Sequence, residues 1–180
     1  LASAFIRGIE EAFDRGADIL VNTDADMQYD SESIADLIRP VIENRADMVI
    51  GDRLCARPRP FGPLKMIFQR LGTAVVRFFS GTYVTDAASG FRAFSRAAIK
   101  ELVIHDKFSY TIESIFLAGA KQLRIVNVPV KTNAVTRKSR LFKTLWQYIC
   151  RSAETIIRIY LMYHPLRFFV SIGILFLTGA

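Results

Sequence analysis

The sequence predicts an α/β fold built on a mostly parallel sheet. Two short apolar runs, residues 17–22 and 46–51, have the character of buried strands, and a segment with helical periodicity separates them. A strand, a helix and a strand at this spacing are typical of a βαβ unit with a right-handed crossover. The composition agrees, because 51% of the 180 residues are hydrophobic, which is enough for one domain with a sizeable core.

The spacing of apolar residues and of turn residues places the elements in order. Helices are predicted over 1–16, 31–45, 64–81, 96–102, 109–122 and 141–163. Strands are predicted over 17–22, 46–51, 87–95 and 124–130. We expect Gly16 to end the first helix and Ser95 to begin the fourth. Asp30 or Ser31 can begin the second helix, which Pro40 is expected to bend or shorten.

The charge balance indicates an anionic partner. Lys and Arg number 24 and Asp and Glu number 17, which gives a net charge of +7. Nucleotide phosphates and anionic lipids fit this charge. Nucleic acid is not predicted, because basic and aromatic residues do not alternate on a predicted sheet face. Cys55 and Cys150 lack the spacing of a metal site, so we expect free thiols on the reducing side of a membrane.

The C-terminal part of the sequence indicates a membrane. Residues 168–180 are apolar and uncharged. They are fewer than the roughly 20 residues of a membrane-spanning helix, and we interpret them as the start of one. Before them, Lys and Arg are interspersed in the helical pattern of 141–163, which fits an amphipathic helix at a membrane surface. Basic residues ahead of a span predict that the preceding domain is cytoplasmic.

Clustered polar residues follow the first predicted strand. Asp24, Asp26 and Gln28 come just after the strand, and ligands collect at the carboxyl ends of strands in an open parallel sheet. Alternate residues of an extended turn point the same way, so the three side chains can converge. Oxygen ligands of this kind suit Mg²⁺ or Mn²⁺ better than zinc. The alternative is a solvated acidic turn.

Three further stretches carry matching chemistry. Arg53 ends the second predicted strand, Asp86 lies beside a tight Ser-Gly turn, and Arg137–Leu141 supply cations suited to a diphosphate. Acids for a metal, arginines for phosphate and a membrane helix downstream are the parts needed to transfer a group from a nucleotide-activated donor to a lipid.

Four motifs, taken in order, resemble a family 2 glycosyltransferase. They are "DADMQ" (24–28), "GDR" (51–53), "DAASGFRAFSR" (86–96) and "TRKSRL" (136–141). Within that family the chain is most similar to the polyprenyl (dolichyl) phosphate mannose and glucose synthases. The resemblance implies an A-type glycosyltransferase fold, in which a Rossmann-like mixed sheet holds a nucleotide sugar and a divalent ion.

The resemblance also implies roles for individual residues. Asp26 and Gln28 would be ligands of the metal ion, Mg²⁺ or Mn²⁺. Asp86 occupies the place of the family's second active-site acid, and it either orients the sugar or acceptor or has a structural role in its turn. Glu113 is either a site residue or a helix-surface acid. The residues that would contact the nucleotide sugar or the acceptor phosphate are Asp24, Arg53, Lys138 and Arg140.

The implied activity is inverting transfer of a hexose from a GDP- or UDP-sugar to a polyprenyl phosphate at the cytoplasmic face of a membrane. We expect a catalytic domain over 1–140, a juxtamembrane helix over 141–165 and the start of a transmembrane helix over 166–180. The family's first strand, with its "PAYNE"-like segment, has no counterpart here, so we expect it upstream. The alternatives are another acceptor, such as a glycolipid or a cell-surface polysaccharide, or an inactive membrane-associated fragment. Self-association is left open.

Overall fold

The computed structural model describes residues 2–24, 28–55, 63–102, 110–133 and 145–178, in which helices pack on a β-sheet. The elements, in chain order, are α1 (Ala2–Asp14), β1 (Ile19–Asn22), α2 (Ser33–Ile42), β2 (Met48–Asp52), α3 (Pro63–Ser80), β3 (Arg92–Ser95), α4 (Arg96–Glu101), α5 (Tyr110–Ala120), β4 (Ile125–Pro129), α6 (Leu145–Tyr163) and α7 (Pro165–Thr178).

The four strands of the described residues form one mixed sheet in the order β1-β3-β2-β4. β2 and β4 are parallel, whereas β3 is antiparallel to both β1 and β2. β1, β2 and β4 therefore run in one direction, and β3 runs in the opposite one. Two of the three strand pairings are antiparallel, so the prediction that most pairings are parallel is wrong. The reason is that the chain reverses before β3 and inserts it between the two strands of the predicted βαβ unit.

Helices cover both faces of the sheet, which divides the core into two layers. In β2, Met48 and Ile50 belong to one cluster and Val49 to the other, as the two-residue period of a strand requires. The larger cluster takes residues from α1, α3, α4, α5 and α6, and the smaller one is closed by Leu37 of α2. All five residues of β2 are buried. The carboxyl end of β2 is therefore shielded on both sides.

The predicted helix ends are largely reproduced. Gly16 has a φ of +74°, in the left-handed region that favours glycine. The Ser95 side chain accepts the backbone N–H of Ala98 at 3.1 Å and so caps α4. α2 is shorter than predicted, because Pro40 lies in its last turn and the chain leaves the helix soon afterwards. The prediction that Asp30 or Ser31 begins α2 is wrong, because the helix starts at Ser33 and follows Glu32, which makes no side-chain cap hydrogen bond. The Asp30 side chain instead accepts the backbone N–H of Glu32 in the turn before the helix.

α6 is amphipathic, and its apolar side belongs to the core. Ile156 and Ile159 are buried in the larger cluster, and the ring of Tyr160 lies 4.7 Å from that of Phe79 on α3. On this side, the pattern that suggested a membrane-surface helix is accounted for by packing on α3 and α5. α7 has 14 residues, and in the described part of the chain no helix combines the length and apolarity needed to cross a membrane. The predicted transmembrane start is thus not confirmed.

Candidate active site

Three of the predicted residues meet at one edge of the sheet. Arg53 directly follows β2, Asp24 lies two residues beyond β1, and Asp86 is in the loop that leads into β3. The first residue of β3, Arg92, pairs with Asn22 at the end of β1 and with Ile50 near the end of β2. The loop before β3 therefore lies at the carboxyl ends of both neighbouring strands, β1 and β2.

Arg53 and Asp86 form a buried, two-point ion pair. Nε of Arg53 donates to Oδ2 of Asp86 at 2.7 Å and Nη2 donates to Oδ1 at 3.0 Å. Asp86 is 0% exposed and Arg53 6%. Burial opposes the charged form of the guanidinium, but the charge of Asp86 more than offsets it and raises the pKa of Arg53. Since both carboxylate oxygens accept from Arg53, Asp86 fixes the position of that guanidinium.

The side chain of Asp24 lies against Gly90 in the Ser-Gly turn. A Cβ added at Gly90 would lie 2.8 Å from Oδ2 of Asp24 and 3.1 Å from the hydroxyl of Tyr110. The side chain of Asn22 donates to the Gly90 carbonyl at 2.7 Å and to the Tyr110 hydroxyl at 2.9 Å, so it ties the turn to the end of β1. A residue larger than glycine in this turn would displace the Asp24 carboxylate.

Arg92 anchors the loop that carries Asp86. Its guanidinium is fully buried and donates to the carbonyls of Ala87, Ser89 and Thr111 and to the Ser114 hydroxyl, at 2.6–2.9 Å. Because it is buried among these neutral acceptors, its pKa is lowered to about 10. Arg92 is still charged at neutral pH, and it holds the loop before β3 against α5.

Tyr29 was not identified from the sequence, although it is buried beside these charges. Its ring stacks on that of Phe91 with centroids 4.7 Å apart, and only 8% of the residue is exposed. Burial raises the pKa of Tyr29, with smaller effects from the charge of Arg53, from the side chain of Ser89 and from the charges of Asp24 and Asp86. The only signal in the sequence is an aromatic residue directly after the acid–glutamine motif, and a buried core position explains that equally well.

α3 brings Lys65 close to the site and carries Gln69 one turn further along. The pKa of Lys65 is lowered by burial and then by the positive charge of Arg53, so the two cations are close to each other. Gln69 is buried, and its Oε1 accepts no hydrogen bond within the described ranges. A spacing of four residues puts Lys65 and Gln69 on one face of the helix. The sequence pattern singles out neither residue, because apolar positions dominate the periodicity of α3.

Gln28 is the first described residue after the gap at 25–27. Its backbone carbonyl accepts the N–H of Asn133 at 2.8 Å, and Tyr29 forms an isolated antiparallel bridge with Thr132. These contacts attach the acid–glutamine motif to the segment that precedes the predicted basic loop. Three of the predicted site residues lie outside the described residues: Asp26, Lys138 and Arg140.

The donor chemistry around the acid–glutamine motif fits a hard divalent cation. Asp24 and Gln28 stand on either side of Asp26, and together they provide only oxygen ligands. Across the described ranges, no group of three or more His, Cys, Asp or Glu side chains could hold a metal ion. Asp26, the remaining acid of the motif, lies outside those ranges.

Glu113 is fully buried, so its interpretation as a helix-surface acid is wrong. It lies near Tyr163 of α6, whose pKa is raised by burial and then by the charge of Glu113. The two cysteines, Cys55 and Cys150, are free, as the sequence predicted, and both are exposed.

Residues 1–103 match the model of the family described as Glycosyl transferase family 2. Over 138 residues the chain is 36% identical to a UDP-N-acetylglucosamine–dolichyl-phosphate N-acetylglucosaminyltransferase of Methanococcus voltae, a match that covers 73% of this chain and 55% of the relative. Over 140 residues it is 28% identical to an undecaprenyl-phosphate mannosyltransferase of Micrococcus luteus, covering 72% of this chain and 55% of the relative. The chain spans about half the length of these two relatives.

A solved structure has a similar fold. Glucosyl-3-phosphoglycerate synthase from Mycobacterium tuberculosis, in complex with phosphoglyceric acid, aligns with a TM-score of 0.63 and 18% sequence identity, covering 89% of this chain and 53% of that one. At this identity the similarity concerns the fold alone, and it supports the α/β fold with a mixed sheet. The family match contains Asp24, Arg53 and Asp86. The chain belongs to glycosyltransferase family 2, as its motifs predicted.

Proposed function

We propose that the protein transfers a sugar from a nucleotide-diphosphate sugar to a polyprenyl phosphate, with inversion at the anomeric carbon. Two of its relatives are named as transferases that act on dolichyl phosphate or undecaprenyl phosphate. The observation that carries the proposal is the buried Arg53–Asp86 pair beside Asp24. Asp86 fixes the position of the Arg53 guanidinium at the carboxyl edge of the sheet, where ligands of α/β proteins bind.

In the proposed reaction the acceptor phosphate is the nucleophile. Its second pKa is about 6, so it is largely anionic near neutral pH and needs little help from a base. It attacks the anomeric carbon, and the bond from that carbon to the diphosphate breaks, with the electron pair leaving on the diphosphate. Stabilising the negative charge on this leaving group is the main task of the site. A single in-line attack inverts the configuration.

Each residue then has a physical role. Arg53 meets the charge on the donor diphosphate or the acceptor phosphate, and Asp86 acts through Arg53, since both its oxygens accept from that guanidinium. Lys65 adds a second positive charge next to Arg53. Asp24 is placed to contact the nucleoside or the sugar. Further phosphate contacts are proposed for two residues of the basic loop, Lys138 and Arg140.

We further propose Asp26 and Gln28 as ligands of a Mg²⁺ or Mn²⁺ ion, which would supply Lewis-acid chemistry and a template for the diphosphate. Asp26→Ala should then abolish metal-dependent transfer and weaken Mn²⁺ binding measured by electron paramagnetic resonance. Its circular dichroism spectrum should stay near that of the wild type. Asp36→Ala, at an exposed position on α2, is the matched control. This variant should change neither sugar transfer nor Mn²⁺ binding. Full transfer by Asp26→Ala at ordinary metal concentrations would contradict the assignment.

We also propose that the reaction takes place at the cytoplasmic face of a membrane, with residues 166–180 as the start of a transmembrane helix. Exposed apolar side chains on α3 and α7 and the net charge of +7 support an association with anionic lipid. A protease added outside intact cells should then fail to cleave at residues 57–63. Cleavage there from outside would reverse the topology.

The decisive experiment offers a choice of donors and acceptors to membranes that contain the protein as its gene encodes it. Labelled UDP- and GDP-sugars are supplied with or without added dolichyl or undecaprenyl phosphate, and the label extracted into organic solvent is measured. We expect label in a polyprenyl phosphate sugar only when the acceptor is added, and none with membranes from cells without the gene. Label in a glycolipid or a polysaccharide instead would establish the alternative acceptor, and no transfer from any donor would contradict the proposed function.

A further inference from the structure

The side chain of Asn22, at the carboxyl end of β1, joins two parts of the site region through one nitrogen atom. Nδ2 donates to the Gly90 carbonyl at 2.7 Å and to the Tyr110 hydroxyl at 2.9 Å. A carbonyl oxygen only accepts hydrogen bonds, so the amide end that contacts Gly90 must be the nitrogen, and its second hydrogen goes to Tyr110. Asn22 therefore links β1 both to the loop before β3 and to the first residue of α5.

The two groups that Asn22 holds lie against the Asp24 carboxylate. A Cβ built at Gly90 would be 2.8 and 3.1 Å from the two carboxylate oxygens of Asp24 and 3.1 Å from the hydroxyl oxygen of Tyr110. The carboxylate and the hydroxyl therefore lie on the same side of Gly90, in space that any larger residue would occupy. The surroundings of Asp24 are thus arranged by a residue two positions before it in the chain.

Packing also limits the movement of Tyr110. Its ring stacks on that of Phe5 in α1 with centroids 4.2 Å apart, and only 7% of the residue is exposed. α5, which begins at Tyr110, packs on α3 and α6. The hydroxyl is therefore a fixed point, and through Asn22 it restrains the end of β1 that leads to Asp24.

We propose that Asn22 and Tyr110 are positioning residues that hold the Asp24 carboxylate where it contacts the nucleoside or the sugar of the donor. This inference rests on the proposed function, in which Asp24 makes that contact, and it adds two residues that act through Asp24. Neither of them has to touch the donor. Without the amide bridge, the Ser-Gly turn and the start of α5 lose their common attachment to β1, and the Asp24 carboxylate is no longer held in one place.

Tyr110→Phe tests the proposal, because it removes one hydrogen bond of the bridge and keeps the ring that stacks on Phe5. Initial rates of sugar transfer are measured on membranes that contain the protein as its gene encodes it, with the nucleotide sugar varied first and the polyprenyl phosphate second. We expect the KM for the nucleotide sugar to rise about tenfold, the size of one hydrogen bond, and the KM for the polyprenyl phosphate to stay unchanged. A bond that only stabilised the fold would lower the amount of active protein and leave both KM values as they are.

Asn22→Ala removes both hydrogen bonds and should raise the KM for the nucleotide sugar further. If the two residues act as one bridge, adding Tyr110→Phe to Asn22→Ala should raise this KM no more, whereas independent effects would multiply.

Ser95→Ala is the control for stability. Ser95 caps α4 and pairs with Ile19 at the opposite edge of the sheet, so this variant should lower the midpoint of urea unfolding without changing either KM. An unchanged KM for the nucleotide sugar in Tyr110→Phe, an equal rise in both KM values, or multiplying effects in the double variant would each overturn the inference and leave the proposed function in place. A wild-type protein that transferred no sugar to polyprenyl phosphate would overturn both proposals.

Discussion

Arg53 and Arg92 are both buried near the carboxyl edge of the sheet, but they are stabilised in different ways. The Arg53 guanidinium has the Asp86 carboxylate against it, and its pKa is raised. The acceptors found for Arg92 in the described residues are three carbonyls and a hydroxyl, and burial lowers its pKa to about 10. Arg92 therefore holds the loop before β3 in place, whereas Arg53 and Asp86 depend on each other electrostatically.

Removing the charge of Asp86 should harm both stability and activity. Asp86→Asn leaves the buried guanidinium of Arg53 without its carboxylate, which costs about 3–5 kcal/mol of unfolding free energy when a buried pair is broken. Sugar transfer should fall as well, because Arg53 is no longer fixed. Urea unfolding and the transfer assay measure the two effects.

The control for this prediction is an exposed ion pair. Asp36 and Arg39 on α2 form a pair whose side chains are 56% and 62% exposed. Asp36→Asn should therefore change the unfolding free energy by less than about 1 kcal/mol. If Asp86→Asn were no more destabilising than Asp36→Asn, the buried pair would have to be reinterpreted as a weak one.

Gly90→Ala should disable the site without unfolding the protein. The new Cβ would lie 2.8 Å from Oδ2 of Asp24, so the carboxylate has to move away from its position at the end of β1. A displacement of about 1 Å in an active site can cost about 100-fold in rate. We expect a loss of this size in sugar transfer, with a circular dichroism spectrum like that of the wild type.

Gly72→Ala on α3 is the matched control, because no atom lies within 4 Å of the Cβ it would add. A glycine in the middle of a helix is disfavoured by about 1 kcal/mol relative to alanine, so this variant should be slightly more stable and fully active. Equal activity of the two variants would show that Asp24 does not need its present position.

Among the elements, the parallel pair of β2 and β4 is aligned by a charged contact at its amino-terminal end. The backbone N–H and Nε of Arg124 donate to Oδ2 of Asp47 at 2.9 and 3.0 Å, and Nη2 donates to Oδ1 at 3.0 Å. Asp47 directly precedes β2 and Arg124 directly precedes β4, so the contact sets the register in which Met48 lies opposite Ile125.

This contact should make stability depend on pH in acid. Hydrogen bonds from Arg124 lower the pKa of Asp47, so the stabilisation is present above the pKa of an unfolded Asp, about 3.9, and is lost as the pH falls through the folded value. Asp47→Asn should therefore lower the urea midpoint at pH 7, and the difference from wild type should narrow below about pH 4. A difference that stays constant from pH 7 to pH 3 would rule out the charge of Asp47 as its cause.

Considered as a whole, the described part of the molecule has most of its exposed large apolar side chains on α3 and α7. Ile67, Leu71 and Phe78 on α3 are 59–82% exposed, and several residues of α7 are comparably exposed. α3 contributes to the larger core cluster, whereas α2 packs on the other face of the sheet. If the proposed association with anionic lipid is correct, this arrangement and the net charge of +7 predict that α3 lies against the lipid surface.

Vesicle binding tests this orientation. Ile67→Ser combined with Leu71→Ser should reduce the fraction of protein that sediments with vesicles containing phosphatidylserine, because it removes apolar area from the face of α3. Ile42→Ser is the control, since Ile42 is 65% exposed but lies on α2. Equal sedimentation of the α3 variant and the wild type would exclude α3 from the lipid contact.

The meeting of Asp24, Arg53 and Asp86 could be anticipated from the sequence, because each lies next to a run that is recognisably a strand. The pairing of β3 could not, since the pattern of "RAFS" is the same for a parallel and an antiparallel neighbour. Its insertion between β1 and β2 is settled only by the whole sheet.

Tyr29 and Lys65 became visible only in three dimensions. Tyr29 has the sequence character of a core aromatic, and Lys65 lies 12 positions after Arg53, on a helix whose apolar residues dominate the pattern. Their closeness to Arg53 comes from tertiary packing, which local periodicity does not encode.

The central place of β3 in the sheet also fixes when the site can form during synthesis. Neighbouring strands lie about 4.8 Å apart, so β1 and β2 must stay about 10 Å apart until β3 fills the gap between them. A growing chain carries β1 and β2 out of the ribosome well before residues 92–95 emerge. Gly90, which contacts the Asp24 carboxylate, and Asp86, which pairs with Arg53, both lie in the segment that precedes β3 and are synthesised late. A nascent chain interrupted before residue 86 therefore lacks both the closed sheet and the contacts that position Asp24 and Arg53.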